Sequence, residues 1–248
     1  MSAEAVMITV CGTVQGVGFR PFVKRLADEF HYNGTVYNSG GIVRILIVGR
    51  SEEEIAVFLR ELENRLPPGA AITECKTERT EPPADDPKGF SITESDDPEP
   101  GALPLFVPDL APCPTCLKEM SDPADRRYRY PLISCAGCGP RYTIIRAFPY
   151  DRERTTMRDY AMCPDCAAEY RENGKIRLHA QTISCHSCGP RIRLIVRDGT
   201  EIPAGVYTGD EAVRQAEAIL RAGEILGCRS VGGYQLLTDP HRPAGVRR

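Results

Sequence analysis

The sequence predicts an α+β protein: a small mixed domain, then a loop-rich metal-binding section, then the opening of a further α/β segment. Two observations lead to this prediction. Segments with strand and helix periodicity alternate as far as Glu94, and eight cysteines then form four CxxC pairs between Cys113 and Cys188. The 248 residues are enough for two or three small domains.

The first half of the mixed domain is predicted to form a strand, a helix and a hairpin. From Val6 to Val14 alternate residues are apolar, which predicts a strand. A glycine-containing loop follows, and Pro21 stands where a first helical residue is expected. Two β-rich runs, Gly34–Asn38 and Ile42–Val48, are joined by a Ser-Gly-Gly turn that predicts a hairpin.

The second half predicts another helix and two short strands. Ser51 followed by Glu54 is a capping-box sequence, and an apolar stripe begins after it. Strands are expected at Ile72–Arg79 and Phe90–Thr93. The order is therefore βαββαβ with a possible edge strand, the split βαβ pattern of ferredoxin-like domains, over residues 1–94.

Two further segments lie outside these elements. Residues 95–108 begin with an acidic stretch rich in proline, which predicts an exposed linker. Residues 198–248 contain an amphipathic helical pattern around Ala212–Leu220 and a possible strand start at Glu224–Gly227. We expect this last α/β segment to be incomplete at residue 248.

The cysteines form a repeat with an offset of 50 residues. Each copy has two CxxC pairs separated by 18 residues, and two such turns can complete a tetrahedral four-thiolate shell. The predicted ligands are Cys113, Cys116, Cys135 and Cys138 for one ion, and Cys163, Cys166, Cys185 and Cys188 for the other. We expect residues 109–197 to hold two structural zinc ions, with an iron-sulfur cluster or another thiophilic metal as the alternative.

Other residues that could serve as ligands or nucleophiles are expected to be inert. His179 and His186 are interpreted as surface residues or as neighbours of the metal ligands. Cys11, Cys75 and Cys228 lie apart from the repeat and are interpreted as small core residues.

The net charge of −3 is unevenly distributed. Residues 1–104 carry 10 basic and 17 acidic side chains, residues 105–197 carry 15 and 10, and the remainder 6 and 7. The cysteine section is thus mildly basic, although it lacks a dense run of basic and aromatic residues typical of nucleic-acid binding. Without a signal peptide or a long apolar run, the sequence predicts a cytoplasmic protein with reduced thiols and no membrane segment.

The glycine loop resembles that of acylphosphatases. Val14-Gln15-Gly16-Val17-Gly18-Phe19-Arg20 matches their loop, and Gly34-Thr35-Val36-Tyr37-Asn38 matches their glycine-led strand that contains an asparagine. The resemblance implies that amides and side chains in the loop bind phosphate, and that Arg20 and Asn38 are catalytic. The implied phosphate-binding residues are Gln15, Gly16, Val17, Gly18, Phe19 and Arg20.

The combination of such a domain with the cysteine repeat resembles the N-terminal part of the HypF family of carbamoyltransferases. Supporting segments are Arg126–Pro131, Cys138–Arg146, Pro149–Arg152 and His179–Gln181. The resemblance implies cleavage of carbamoyl phosphate, or another acyl phosphate, as the first step of cyanide-ligand synthesis for nickel-iron hydrogenases. It also implies a YrdC-like domain that uses ATP in the full-length family protein, and HypE as the partner.

The opening of the YrdC-like segment departs from the family pattern. Cys228–Leu236 replaces an isoleucine, a lysine, a glycine, a phenylalanine and a histidine of that pattern, so ATP binding is not expected here. The alternative to an enzyme is a non-catalytic zinc scaffold that binds a partner protein or nucleic acid, favoured by the cysteine repeat and its basic charge.

Overall fold

The computed structural model describes residues 5–85, 87–96, 105, 107–197, 203–230 and 233–247. The chain divides into two compact units, Met1–Cys116 with Ser134–Ile183, and Leu117–Ile133 with Ser184–Arg248. Most of the predicted linker lies outside the described residues, and the three boundaries between the four predicted segments stay predictions. Among the residues that are described, no helix has both the length and the apolar character needed to cross a bilayer.

The first unit contains a five-stranded sheet. Its elements are β1 (Ala5–Thr13), α1 (Phe19–Glu29), β2 (Asn33–Ser39), β3 (Ile42–Val48), α2 (Glu52–Asn64), β4 (Ala71–Thr80) and β5 (Phe90–Ile92). The strand order is β4-β1-β3-β2-β5, with β5 parallel to β2 and the other pairs antiparallel. The predicted ferredoxin-like βαββαβ order and its edge strand are confirmed.

One face of this sheet buries the core of the unit. Ile8 and Val10 alternate with partly exposed residues along β1, as the period of a strand requires. Leu26 of α1 and Phe58 and Leu62 of α2 pack into the same cluster. Each such side chain contributes roughly 1.5–3 kcal/mol by leaving water. The two helices are therefore attached to one face, and the loop between β1 and α1 lies at the end of a well-packed strand.

The two helices of this sheet begin differently. Helix α2 has the predicted capping box, because Ser51 Oγ accepts from Glu54 N–H at 3.3 Å and Ser51 N–H donates to the Glu54 carboxylate at 2.9 Å. Helix α1 begins at Phe19, so the expectation that Pro21 is its first residue was wrong. Gly18 adopts a left-handed conformation and turns the chain sharply into the helix, and a proline within the first turn removes no hydrogen bond.

The cysteine section has two short helices, α3 (Pro114–Ser121) and α4 (Pro164–Arg171), each starting inside a CxxC pair. A metal was expected to replace a hydrophobic core here. The structure adds buried arginines that donate to main-chain carbonyl groups: Arg127 in the second unit, and Arg141, Arg152 and Arg177 in the first. Because a carbonyl oxygen satisfies a guanidinium N–H, these charges are buried with hydrogen-bond partners.

The second unit contains a small α/β arrangement. Strands β6 (Arg193–Val196) and β7 (Gly205–Thr208) pair antiparallel, and α5 (Gly209–Arg221) packs on them through a four-residue cluster that includes Ala212 and Ile219. A hairpin of β8 (Leu226–Ser230) and β9 (Gly233–Leu237) follows, then α6 (Pro243–Val246). The predicted helix is confirmed, and the strand predicted from Glu224 begins at Leu226. Val231 and Gly232 of the YrdC-like pattern lie outside the described residues.

Candidate active site and metal sites

The loop between β1 and α1 presents a set of unused main-chain donors. Gly16 and Gly18 have φ values of 74° and 73°, a left-handed conformation that glycine adopts without steric cost. No described residue accepts a hydrogen bond from the main-chain N–H of residues 15 to 20. Buried N–H groups are rarely left unpaired, and a strand-to-helix turn with several free amides is a typical anion site.

Arg20 lies in the first turn of α1, beside these amides, and is only 8% exposed. Its Nη2 donates to the Asp151 carboxylate at 2.7 Å, and its Nη1 donates to Ser95 Oγ at 3.2 Å. The guanidinium is therefore held in one orientation by two residues that are distant from it in the chain. An orientated guanidinium can form bidentate bonds to a phosphate.

Asn38 lies near the end of β2 and is 1% exposed. Its main-chain oxygen accepts from Asp96 N–H at 2.9 Å, whereas its side-chain Oδ1 is buried and has no hydrogen-bond partner among the described residues. An unpaired buried carbonyl oxygen is costly, typically 1–3 kcal/mol, and such groups are often found where a ligand or water binds. Oδ1 is available to accept a hydrogen bond from a water molecule.

The Gln15 side chain has a structural role. Its Nε2 donates to Gly40 O at 2.8 Å and to Ile42 O at 3.0 Å, and its Oε1 accepts from Tyr150 N–H at 3.0 Å. All of these are main-chain groups, so the amide side chain ties the loop to the β2–β3 turn. Only the main-chain N–H of Gln15 is free to contact an anion.

These residues line one cleft. The lining comprises Val14, Gln15, Gly16, Gly18, Phe19, Arg20, Pro21, Asn38, Ala136, Arg141, Tyr150, His179, Ala180 and Gln181. Six of the fourteen follow residue 105, in the section that the sequence predicts to bind metal. Arg20 and Asn38, predicted separately from two motifs, share this cleft.

His179, interpreted from the sequence as a surface residue or a neighbour of the metal ligands, lines the cleft beside Arg20. Burial lowers the pKa of His179 to about 4, and the positive charge of Arg20 lowers it further in the same direction. The imidazole is thus neutral near pH 7. Nothing in the local sequence pattern around Asp151 and Arg141 points to their contacts with Arg20 and Gly16.

The arrangement supports chemistry on a phosphate ester or anhydride with a good leaving group. Main-chain amides and Arg20 are the groups that stabilise negative charge on phosphoryl oxygens, and Asn38 Oδ1 can orient a water. The imidazole of His179 is neutral near pH 7 and adds no charge to the cleft. Positioning and charge stabilisation are therefore the chemical means that this cleft offers.

The first predicted metal site brings together Cys113, Cys116, Cys135 and Cys138. Sulfur-to-sulfur distances are 3.8 Å for Cys113–Cys135, 3.6 Å for Cys116–Cys138 and 3.5 Å for Cys135–Cys138. A tetrahedral ion with bonds of about 2.3 Å places its sulfurs about 3.8 Å apart. Three of the four cysteines are buried, and the geometry fits a closed four-thiolate site.

The second predicted quartet is Cys163, Cys166, Cys185 and Cys188, whose sulfurs also all lie within 4.8 Å of one another. Cys185 and Cys188 are separated by 3.8 Å between sulfurs. In both sites every donor is a thiolate, the ligand set that zinc and iron-sulfur clusters favour. A bound ion would neutralise these charges and hold the two CxxC turns of each site together. With four sulfur ligands, the ion would have no open coordination position for a substrate.

The sulfurs of the first site lie within hydrogen-bond distance of one another. Hydrogen bonding with Cys116 and Cys135 lowers the pKa of Cys138, whereas hydrogen bonding with Cys135 and Cys138 raises the pKa of Cys116. Such a cluster does not keep four negative charges together without a cation. Arg177 Nη2 lies 3.7 Å from Cys116 Sγ and provides one nearby positive charge.

Comparisons with known proteins agree with both parts. The acylphosphatase family model matches residues 6–92, and the HypF finger model matches residues 113–145 and 162–195. The probable carbamoyltransferase HypF of Methanocaldococcus jannaschii is 49% identical over 93% of this chain and 29% of its own length. The chain belongs to the HypF family.

Two further HypF and acylphosphatase comparisons support this assignment. A crystal structure of full-length HypF in the phosphate- and nucleotide-bound form superposes with a TM-score of 0.84, at 35% identity, over 99% of this chain and 31% of that one. The acylphosphatase of Staphylococcus haemolyticus is 34% identical over 29% of this chain and 81% of its own length. The chain spans about 30% of the length of the HypF proteins it matches.

The HypF assignment confirms the resemblance, the fold class and the presence of an acylphosphatase-type enzyme domain. The roles of Arg20, Asn38 and the loop amides stay predictions, although the structure brings them into one cleft. The eight cysteines lie in two groups as predicted. His186 is exposed and its Nε2 lies 2.9 Å from Tyr128 O, away from a ligand position.

The isolated cysteines differ from the metal-site cysteines. Cys75 packs against the core of the first unit, and burial raises the pKa of its thiol. Cys11 and Cys228 are half-buried. A thiol with a raised pKa is a poor nucleophile, so the interpretation of Cys75 as a core residue agrees with its surroundings.

Proposed function

We propose that this chain hydrolyses acyl phosphates, and carbamoyl phosphate in particular, as the first step of a HypF-type carbamoyl transfer. The observation that carries the proposal is the unpaired set of six loop amides beside Arg20, with the unpaired Asn38 Oδ1 in the same cleft. These are donors for a phosphate and an acceptor for a water. The match to acylphosphatases over residues 6–92 supports the same chemistry.

In this proposal the loop amides and the Arg20 guanidinium hold the phosphoryl oxygens. Asn38 Oδ1 accepts a hydrogen bond from a water molecule, whose oxygen attacks phosphorus. The new bond joins the water oxygen to phosphorus, and the bond from phosphorus to the bridging oxygen breaks. The acyl group leaves as a carboxylate, which for carbamoyl phosphate is carbamate, and the water proton passes to phosphate oxygen or solvent.

The chemistry needs no strong general acid, because a carboxylate is already a good leaving group. The negative charge of a loose phosphoryl transition state stays on the equatorial oxygens, which face the amides and Arg20 in the proposed pose. Asp151 and Ser95 keep the guanidinium aligned before the substrate binds. The carbamate would serve later transfer steps, with HypE as the partner and cyanide-ligand synthesis for nickel-iron hydrogenases as the purpose.

We further propose that each cysteine quartet holds one structural zinc ion. Sulfur separations of 3.5–3.8 Å in the first site support a tetrahedral thiolate shell. The zinc ions would hold the CxxC turns together and would take no part in the hydrolysis. Metal analysis should return two zinc ions per chain, and visible absorption from iron and sulfide would contradict the assignment.

Hydrolysis of carbamoyl phosphate and benzoyl phosphate tests the catalytic proposal. We expect Arg20→Ala to lower kcat/KM by about 10³-fold and Asn38→Ala by about 10²-fold, since each removes a group that acts in the transition state. Arg25→Ala is the matched control, because Arg25 is an exposed arginine on the same helix. Turnover that is equal in all three variants would remove the catalytic assignment.

A further inference from the structure

Arg141, in the first cysteine repeat, contacts the phosphate loop directly and uses all five of its N–H groups. Its Nε donates to Gly16 O. Its Nη1 donates to Cys138 O and Pro140 O, both at 2.9 Å, and its Nη2 donates to Ala136 O at 2.9 Å and Cys135 O at 3.3 Å. The residue is 4% exposed. One side chain therefore joins the glycine loop to the turn that carries two predicted metal ligands.

The packing around this side chain is close. A Cβ atom on Gly16 would lie 2.9 Å from Arg141 Cδ, and one on Gly18 would lie 3.4 Å from Ala136 O. Both glycines also have left-handed φ values that other residues rarely adopt. The loop thus approaches the Cys135–Cys138 turn as near as glycine permits.

The orientation of Arg141 is itself fixed. Asp109 accepts from Arg141 N–H at 2.8 Å and from Thr143 N–H at 3.1 Å, and it also accepts from the Thr143 hydroxyl. The guanidinium lies 5.7 Å from the ring centroid of Tyr150, whose N–H donates to Gln15. The main-chain carbonyl groups, the Asp109 carboxylate and the Tyr150 ring together restrict the orientation of Arg141.

Planarity of the peptide bond links this contact to anion binding. The C=O of Gly16 and the N–H of Val17 belong to one trans peptide unit and point in opposite directions. Holding Gly16 O against Arg141 therefore sets the direction of the Val17 N–H, one of the six unpaired loop donors. The guanidinium also places a positive charge directly behind the loop.

We infer that Arg141 is a positioning residue for the phosphate loop, and that the Cys135–Cys138 metal turn provides the rigid support that holds it. This inference rests on the proposed function, because it assigns a purpose to the same cleft. The first cysteine site then has a second task besides folding its own repeat: it determines how tightly the loop binds an anion.

The chain contains a matched control. Gly189-Pro190-Arg191 repeats Gly139-Pro140-Arg141, but Arg191 is exposed whereas Arg141 is buried. Replacing either arginine by methionine removes one positive charge after the same Cys-Gly-Pro sequence. Only the change at position 141 removes a contact with the loop.

The test is isothermal titration of the whole chain with inorganic phosphate, together with zinc content and steady-state hydrolysis of carbamoyl phosphate. We expect Arg141→Met to raise the phosphate Kd by about 10- to 100-fold, the range for losing a charged hydrogen bond, and Arg191→Met to change it less than twofold. In Arg141→Met, KM should rise more than kcat falls. Zinc content should match the parent in both.

Three outcomes separate the possibilities. If the parent chain binds no phosphate, the proposed function fails. If the parent binds phosphate and Arg141→Met binds it equally well, the positioning role is overturned. Should Arg141→Met not fold, Arg141→Lys replaces it, because lysine keeps the charge but cannot reach five carbonyl groups; an unchanged phosphate Kd in folded Arg141→Lys would equally overturn the inference.

Discussion

The two cysteine repeats share several backbone features but place different side chains at equivalent positions. Arg129 in the first repeat and His179 in the second both adopt a left-handed conformation, with φ values of 56° and 49°. The N–H of Arg129 donates to Met120 O at 2.8 Å, and the N–H of His179 donates to Tyr170 O at 2.9 Å. The pairs are separated by 50 residues, as the cysteines are.

The surroundings of these equivalent residues differ. Arg129 forms an ion pair with Asp210 at the start of α5, whereas His179 lines the cleft beside Arg20. Arg141 is buried against the loop and its counterpart Arg191 is exposed. The cysteine spacing is common to both repeats, and the residues that are not ligands adapt each copy to a separate neighbour.

Another pair shows what both repeats retain. Arg127 Nε donates to Ser184 O at 2.9 Å, and Arg177 Nε donates to Ser134 O at 3.0 Å. Each arginine thus binds the carbonyl group that precedes the second CxxC pair of the other repeat. Both are at most 3% exposed. The exchange is reciprocal, which indicates that neither repeat is complete without the other.

The largest effect should come from removing a metal ligand in each repeat. Cys116→Ser and Cys166→Ser should each lower zinc from two ions to one and destabilise the metal turn by an amount on the order of 10 kcal/mol. Cys116→Ser should additionally weaken phosphate binding at least about 10-fold more than Cys166→Ser, because the first turn supports Arg141. Metal analysis and phosphate titration measure both effects. Equal phosphate affinity in the two variants would show that the first metal turn supports the phosphate loop no more than the second does.

An intermediate effect is expected from the reciprocal arginines. Arg127→Met and Arg177→Met each remove a buried charged donor and leave a carbonyl group unpaired, which should lower the free energy of unfolding by about 2–4 kcal/mol. Chemical denaturation measures this change. A cost below 0.5 kcal/mol for one arginine alone would show that the two repeats do not depend on each other equally.

The smallest effect concerns the dependence of stability on pH at the equivalent positions 129 and 179. The pKa of His179 is about 4 in the folded protein, below its ordinary value of 6.5. Between these values the unfolded chain binds a proton that native His179 does not, so the free energy of unfolding falls as the pH falls. Between pH 7.5 and pH 5, the free energy of unfolding should fall by about 2 kcal/mol through this residue.

His179→Asn should remove this part of the pH dependence, since asparagine does not titrate and tolerates the left-handed conformation. Arg129→Asn is the control, because it changes the equivalent residue without removing an imidazole. Urea denaturation between pH 7.5 and pH 5 compares the three proteins. If the free energy of unfolding depends on pH equally in His179→Asn and the parent, then His179 is protonated as readily in the folded chain as in the unfolded one.

Much of the fold could be predicted from local patterns. Alternation in β1, the capping box at Ser51 and the glycines at 16 and 18 each reflect a conformational preference within a few residues, and each is confirmed. The start of α1 was the exception, because the turn depends on Gly18 and not on the proline that follows. The cysteine pairs were predictable because metal coordination requires their spacing.

The sequence by itself determined which chemistry the chain carries: a glycine loop with Arg20, an asparagine on the next strand, and two thiolate quartets. Tertiary structure alone decided which distant side chains complete the cleft. Asp151 lies 131 positions from Arg20, and Arg141 lies 125 positions from Gly16. The same Cys-Gly-Pro sequence precedes Arg141 and Arg191, yet only Arg141 is buried, because burial depends on which surface packs against a side chain and not on its neighbours in the chain.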